Sequence, residues 1–354
     1  MNILYITVRS DFGGGPRHVA QLVELIPASI NLYMAYPLGG EPYGLRWQDN
    51  TRIKGSIHIS YRRFTLSTLF KLRKYVKSNH IDIIHSHGNG AGIYSRLLKV
   101  LLPSIKVVHT FHGISDIYKS KIKYALSLIV GKILAPYGDV YIAVSNGERN
   151  LSLMRQFSKA DNTVVVYNGI KNSHSDYKVR PHSPLRIVTL SRFDYQKNMH
   201  SMYRIANCLK DFPVEFVWLG DGPDMKYLKN KALCDGLKIN FVGFSTEPMK
   251  YLEKADIYLS TSRFEGLPYG LIEAASIGLP IVASDVKGNN EVVEDGKNGF
   301  LFSSEDKAVS ILQDFVSGKL RYAQLSKNAI SFFTMNFTEE RMIKKLVALY
   351  KEII

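Results

Sequence analysis

Positions 262–273 read Ser-Arg-Phe-Glu-Gly-Leu-Pro-Tyr-Gly-Leu-Ile-Glu, directly after the apolar run Ile257–Ser260. Gly266 permits a turn tight enough to bring backbone N–H groups against a ligand, and Pro268 can open a helix at little cost. A helix N-terminus offers free amides and the positive end of its dipole to an anion such as a diphosphate. Glu265 falls in the loop beside that anion, and Glu273 falls about a turn into the helix. Carboxylates so placed do not bind phosphate; they accept hydrogen bonds from sugar hydroxyls.

A second stretch, Ser191-Arg-Phe-Asp-Tyr-Gln-Lys-Asn198, follows another apolar run. Arg192 and Lys197 at a strand-to-helix junction can supply positive charge to a diphosphate, the first as a fork and the second as a point charge. A third, Gly13-Gly14-Gly15-Pro16, makes a flexible loop after the first strand. It lacks G-x-G-x-x-G spacing, so it is not read as a dinucleotide site.

Histidines gather at strand ends: His85 and His87 before Gly88, His109 and His112 before Gly113. Residues two apart on a strand share a face, which pairs His85 with His87 and His109 with Phe111. A strand histidine is usually structural, and that reading holds for His85 and His109. His112 falls beyond its strand and is the better functional candidate. The sequence contains no HExxH, CxxC or compact Asp-x-Asp at a strand end, so no metal is expected.

These residues need a scaffold. The chain has 354 residues, 45% hydrophobic and 22% charged, which excludes disordered and fibrous classes and suggests about two domains. In the first half, strands are expected at Asn2–Val8, Asn31–Leu38, Ile57–Ser60, Asp82–His87, Lys106–Phe111, Val140–Ser145 and Thr163–Tyr167. Helices are expected between them at Pro16–Ile26, Thr65–Ser78 and Gly90–Leu101. Buried runs alternating with amphipathic helices predict a parallel sheet covered on both faces. The pattern stops at residues 171–184, which read as a linker.

Alternation restarts with strands at Leu185–Leu190, Val214–Leu219, Ile239–Val242, Ile257–Ser260 and Pro280–Ser284. The helices there are Asn198–Lys210, Pro223–Cys234, Met249–Ala255 and Tyr269–Ile277. The expected plan is therefore α/β: two doubly wound Rossmann-like domains, 1–170 and 185–336, facing a central cleft, with a last helix over 337–354. Ligands in such sheets sit beyond the carboxyl ends of the strands.

The net charge is +15, and it is uneven. Residues 1–170 hold 21 Lys+Arg and 9 Asp+Glu, a net of +12, and the remaining 25 and 22 give only +3. A basic first half points to nucleic acid, an anionic membrane or an acidic substrate. Arg62, Arg63, Lys71, Arg73, Lys74 and Lys77 form one cluster. Lys119, Lys121, Lys123 and Lys132 flank the run Tyr124–Leu134, which reads as a basic amphipathic helix suited to an anionic membrane surface. Cys208 and Cys234 cannot form a disulfide framework, which fits a reduced cytosol. The N-terminus reads as a first strand rather than a leader, and no stretch has the roughly 20 apolar residues of a spanning helix.

The combination of two α/β halves, the Glu265–Glu273 spacing, the Ser-Arg-Phe…Lys-Asn run and the glycine loop resembles the GT-B-fold retaining glycosyltransferases of family 4 (group 1), over essentially the whole chain. The resemblance implies transfer from a nucleotide-diphosphate sugar, most commonly a UDP-sugar, with no required metal and no cofactor beyond that substrate. It places Glu273 on the ribose hydroxyls, Glu265 against the donor sugar, and Arg192 and Lys197 on the diphosphate. Gly266, Leu267, Tyr269 and Gly270 would line the donor site, Gly14 and Gly15 would close over it, and His112 would lie near the reacting sugar. The last helix would cross back to the first domain. The implied acceptor is a lipid-linked saccharide of O-antigen, capsule or other envelope polysaccharide assembly, handled by a peripheral enzyme on the cytoplasmic face of the membrane. A UDP-sugar 2-epimerase of the same fold is the alternative. A nucleic-acid-binding protein is a remote one, because it would leave Glu265 and Glu273 idle.

Overall fold

The computed structural model describes the chain except Gly40, Glu41, residues 115–120, Ser173, His174, Ser175, Tyr177 and Arg180, and does not describe the side chains of Lys121 and Lys123. The expected cation Lys119 lies outside the described residues, as do the side chains of Lys121 and Lys123. Two compact units result: Met1–Asn168 together with Glu340–Ile354, and Gly169–Glu339.

The first unit runs β1 (Asn2–Thr7), α1 (Gly14–Leu25), β2 (Asn31–Tyr36), α2 (Tyr43–Gln48), β3 (Ile53–His58), α3 (Leu66–Ser78), β4 (Ile83–His87), α4 (Asn89–Leu101), β5 (Lys106–Thr110), α5 (Lys121–Leu134), β6 (Val140–Ala143), α6 (Asn146–Met154) and β7 (Thr163–Val165). The second runs β8 (Leu185–Leu190), α7 (Met199–Cys208), β9 (Val214–Leu219), α8 (Met225–Cys234), β10 (Ile239–Gly243), α9 (Met249–Leu252), β11 (Ile257–Ser260), α10 (Tyr269–Ser276), β12 (Ile281–Ser284), β13 (Gly299–Phe302), α11 (Glu305–Val316) and α12 (Tyr322–Asn336). Helix α13 (Glu339–Ile353) ends the chain.

Among the described residues the first unit holds a seven-stranded sheet in the order β3-β2-β1-β4-β5-β6-β7, and the second a six-stranded sheet in the order β10-β9-β8-β11-β12-β13. Adjacent strands pair in parallel throughout. β4 is buried along its length, as a strand covered on both faces must be. One face of the first sheet packs Leu22 of α1, Trp47 of α2 and Met342, Leu346 and Tyr350 of α13 against Ile3 and Tyr5. The other packs Leu72 of α3 and Leu98 of α4 against Leu4 and Ile6. In the second unit Met202, Leu228 and Leu312 pack on Ile187, Trp218 and Leu259.

Both sheets reverse direction once. The first winds outward from β1 to β3 and then returns to place β4 beside β1; the second does the same with β8 and β11. Such a switch point opens a crevice at the carboxyl edge, where ligands bind in sheets of this kind.

Local signals set the helix starts. Thr65 and Ser145 cap α3 and α6, their side chains accepting the backbone N–H of Thr68 and Glu148. The third strand lies at Ile53–His58, earlier than the expected Ile57–Ser60, because its central Gly55 hides the apolar alternation. β13 is not among the expected strands; its Gly-Phe-Leu-Phe run pairs in parallel with β12 and completes that edge of the sheet. No helix among the described residues is long and apolar enough to cross a membrane.

Candidate active site

In the second unit, β8 and β11 are neighbours, so the loops leaving them emerge side by side. Side chains stitch these loops together. Thr261 Oγ1 donates to the carbonyls of Lys197 and Asn198, both at 3.1 Å. The Arg263 guanidinium donates to Tyr195 O (3.1 Å) and Asn198 Oδ1 (2.8 Å) and lies 4.5 Å over the Tyr195 ring. Gln196 Nε2 donates to Phe264 O at 3.0 Å. The loop after β12 closes against them: Gly288 has φ +90°, and a β-carbon there would come within 2.6 Å of Gly266 O.

This stitching brings Lys197 and Glu265 together. Lys197 Nζ lies 2.6 Å from Glu265 Oε1, and both side chains are largely buried, 19% and 7% exposed. The second Glu265 oxygen faces Gln196 Nε2 at 3.4 Å, and the Glu265 backbone N–H donates to Lys287 O. Arg192 stands apart, 60% exposed and paired with Asp194 (3.1 Å) and Gln196 Oε1 (2.9 Å).

Pro268 caps α10 in an extended conformation, so Tyr269 and Gly270 form its first turn. Gly270 also has a packing reason. The Tyr258 hydroxyl, which donates to Leu190 O and accepts from Leu190 N–H, occupies the space a β-carbon would need. Leu267 is buried, and Glu273 is buried in the second turn of α10.

In the first unit a cavity of about 310 Å³ opens at the carboxyl edge of β1, β4 and β5, lined by residues including Thr7, Gly15, Arg62, His87, Gly90 and His112. Gly14 and Gly15 open α1, and a β-carbon on Gly15 would lie 3.7 Å from the His112 side chain. His112 has φ +58°, a left-handed conformation that non-glycine residues hold where surroundings enforce it. The surroundings here are Glu148. Its Oε1 accepts the backbone N–H of Gly113 and Ile114, and its Oε2 accepts that of Val144.

His87 Nδ1 and His112 Nε2 are 3.1 Å apart, and the His18 ring meets His112 edge-on at 4.7 Å. Among the described residues, His87 Nε2 is buried with no hydrogen-bond partner. Burial holds His87 and His112 well below the ordinary histidine range, with neighbouring histidines adding to the shift, and lowers His18 to about 4. The imidazoles are therefore neutral near pH 7. His18, His87 and His112 also offer ring nitrogens within 4.8 Å of one another, a spacing that can hold a metal ion.

His85 and His109 belong to buried networks instead. His85 bridges Tyr350 Oη (2.5 Å) and Thr110 Oγ1 (2.8 Å), and His109 Nδ1 contacts Ser86 Oγ (2.9 Å). Sequence reasoning overlooked His18 and Glu148. Glu148 carried a signal in the capping-box spacing Ser145-x-x-Glu148. His18 carried none, since it reads as one more inward position of α1 beside Val19 and Leu22.

The two halves of the chain match two family descriptions: Glycosyltransferase Family 4 over residues 12–174 and Glycosyl transferases group 1 over residues 171–332. The chain belongs to the family 4, group 1 glycosyltransferases. The O-antigen biosynthesis glycosyltransferase WbnH of Escherichia coli is 25% identical to this transferase over 322 residues, covering 88% of this chain and 89% of that protein. The UDP-Gal:alpha-D-GlcNAc-diphosphoundecaprenol alpha-1,3-galactosyltransferase of E. coli is 24% identical over 317 residues, covering 82% and 80%. The crystal structure of Anabaena HepE in complex with UDP superposes with a TM-score of 0.83 at 18% identity, covering 99% of this chain and all of that one. The transferase thus has the GT-B fold, with a Rossmann-like sheet in each unit.

Proposed function

We propose that this transferase moves a sugar, with retention of anomeric configuration, from a UDP-sugar to a lipid-linked saccharide acceptor in envelope polysaccharide assembly, working at the cytoplasmic face of the membrane. The observation that carries the reading is the Lys197–Glu265 pair at the switch point of the second sheet, beside the N-terminus of α10. A largely buried cation and a buried carboxylate at that edge suit the two ends of one donor: diphosphate for the first, sugar hydroxyls for the second. The relatives named for O-antigen synthesis and for a diphosphoundecaprenol acceptor support the substrate classes.

The assigned roles follow the charges. Departure of the nucleoside diphosphate leaves negative charge on its terminal phosphate. Lys197, Arg192, the amides of Gly266, Leu267, Tyr269 and Gly270 and the positive end of α10 stabilise it. Glu273 holds the ribose hydroxyls and Glu265 a hydroxyl of the donor sugar. The leaving phosphate oxygen takes the acceptor proton on the face it vacates. In the first unit, neutral His112 serves as a hydrogen-bond partner for the sugar rather than as a cationic acid, with Gly14 and Gly15 leaving room for the donor. No metal has a part in these steps.

Thermal unfolding with UDP, GDP and ADP tests the donor class. A ligand at 100 times its dissociation constant adds about 2.7 kcal/mol. A raised midpoint with UDP alone, absent in Glu273→Ala, is expected; no shift with any of the three removes the donor assignment. Incubation with UDP-galactose and a synthetic GlcNAc-diphospho-lipid then tests the acceptor, a failure there with the UDP shift intact excluding that pair only.

A further inference from the structure

Helix α5 is held by one face and, among the described residues, bare on the other. Its inner face is fixed by Tyr124, whose hydroxyl accepts from Arg155 (3.2 Å), by Gly131 beneath the Phe157 ring, and by buried Leu134. The Tyr141 hydroxyl adds a bond to Ala135 O at 2.8 Å. Its outer face carries Ile122, Leu126, Ile129 and Ile133, exposed by 72%, 55%, 53% and 63%. These positions recur at intervals of four, three and four, so they form a single stripe one helical turn apart. A core helix with a solvated edge would show the reverse: polar residues outside, aliphatic ones hidden.

Charge accompanies the stripe. Lys132 is exposed beside Ile133, and residues 121–134 contain no Asp or Glu. On the same side of the sheet, α4 packs between α5 and α3. The outer face of α3 repeats the arrangement, with Leu66 and Phe70 exposed one turn apart and Lys71, Lys74 and Lys77 exposed in the turns that follow. Residues 66–78 likewise lack any acid. A soluble partner with directional contacts would call for some polar matching. Aliphatic side chains fringed only by cations instead match the acyl chains and anionic headgroups of a bilayer.

We propose that the outer stripe of α5, with the exposed end of α3, is the surface by which this enzyme docks on an anionic lipid bilayer, Ile122, Leu126, Ile129 and Ile133 entering the acyl boundary and the lysines pairing with headgroups. The inference builds on the lipid-linked acceptor assigned above. The same β5-to-β6 crossover carries His112 at its start and α5 at its end.

The test is co-sedimentation of the full chain with sucrose-loaded vesicles, either 30% phosphatidylglycerol in phosphatidylethanolamine or pure phosphatidylcholine. The wild type is expected to partition onto the anionic vesicles at least tenfold more strongly than onto the neutral ones, less so at 0.5 M salt. Leu126→Glu/Ile129→Glu is expected to lose at least tenfold in partitioning, and Ile122→Ser/Ile133→Ser to lose binding in part. UDP-induced thermal shift on the same samples serves as the folding control. Wild-type levels of binding by a double variant that keeps its UDP shift overturn the proposal, and so does a lipid-free dimer by light scattering that these substitutions dissolve. A wild type that binds vesicles but shows no shift with any nucleotide leaves the docking surface standing and removes the donor assignment instead.

Discussion

The carboxylate of Glu148 holds the strained backbone at His112 in place. It does so from α6, by accepting the N–H groups of the two residues that follow the histidine. Glu148 is 1% exposed and also bonds Val144 N–H, so one side chain ties the end of β5 to the end of β6. Replacing it with alanine removes the acceptor for three backbone donors at once.

Glu148→Ala is therefore expected to lower kcat by roughly 10- to 100-fold, the scale of an ångström-sized misplacement. The donor KM should change far less, because the proposed donor-binding side chains Arg192, Lys197, Glu265 and Glu273 are all held by the second unit, whereas Glu148 belongs to the first. Stability should fall by about 1–3 kcal/mol for each unpaired N–H group. Steady-state kinetics with thermal unfolding separate the two effects; an unchanged kcat in a folded variant removes the positioning role.

The Lys197–Glu265 pair makes a second prediction. Breaking a buried pair from one side leaves an uncompensated charge and costs about 3–5 kcal/mol, whereas removing both partners costs much less. Glu265→Ala should then be less stable than Lys197→Met/Glu265→Ala. UDP affinity should fall in the double variant and not in Glu265→Gln. Urea denaturation and calorimetric titration of the three proteins check the order.

Much of this was legible in the sequence. The switch-point loops of the second unit could be found because a glycine, a proline and two acids at fixed spacing mark a strand-to-helix turn suited to an anion and to hydroxyls, and the strands beside them are short, largely apolar runs. Gly270 shows where that logic stops: its place is required by the Tyr258 hydroxyl, a partner twelve positions away whose direction no spacing rule supplies. The histidine cluster was half visible. His87 and His112 stand at strand ends, but their contact depends on β4 and β5 lying side by side, and His18 reaches them from a helix whose apolar pattern disguised it.

The same cluster contributes to the loss of stability in acid. His18 takes its proton in the folded protein at about 4, while an unfolded chain takes it near the ordinary 6.5. Its contribution is fully present above roughly pH 6.5 and is lost as pH falls toward 4, on the order of 3 kcal/mol for this residue. Burial depresses His85, His87, His109 and His112 in the same direction. Unfolding midpoints between pH 7.5 and 4.5 should therefore decline; His18→Asn should flatten the decline, and an unaltered slope would contradict the assignment.

Turnover should be indifferent to chelators. Dialysis against EDTA is expected to leave the rate unchanged, because Lys197, Arg192 and α10 supply the charge that a cation would otherwise bring. A loss of activity restored by zinc and absent in His18→Asn would instead assign an ion to His18, His87 and His112.

Tyr350 belongs to the last helix, yet its hydroxyl reaches Tyr5 of β1 and His85 of β4. During synthesis the ribosome must therefore release the whole second unit before the first can fill the slot that Met342, Leu346 and Tyr350 occupy. The nascent N-terminal half waits with an open apolar seam, and the last helix acts as its stopper. Expressed alone, residues 1–168 should be sticky and prone to aggregate, and a stop codon before Met342 should damage the half of the protein translated first.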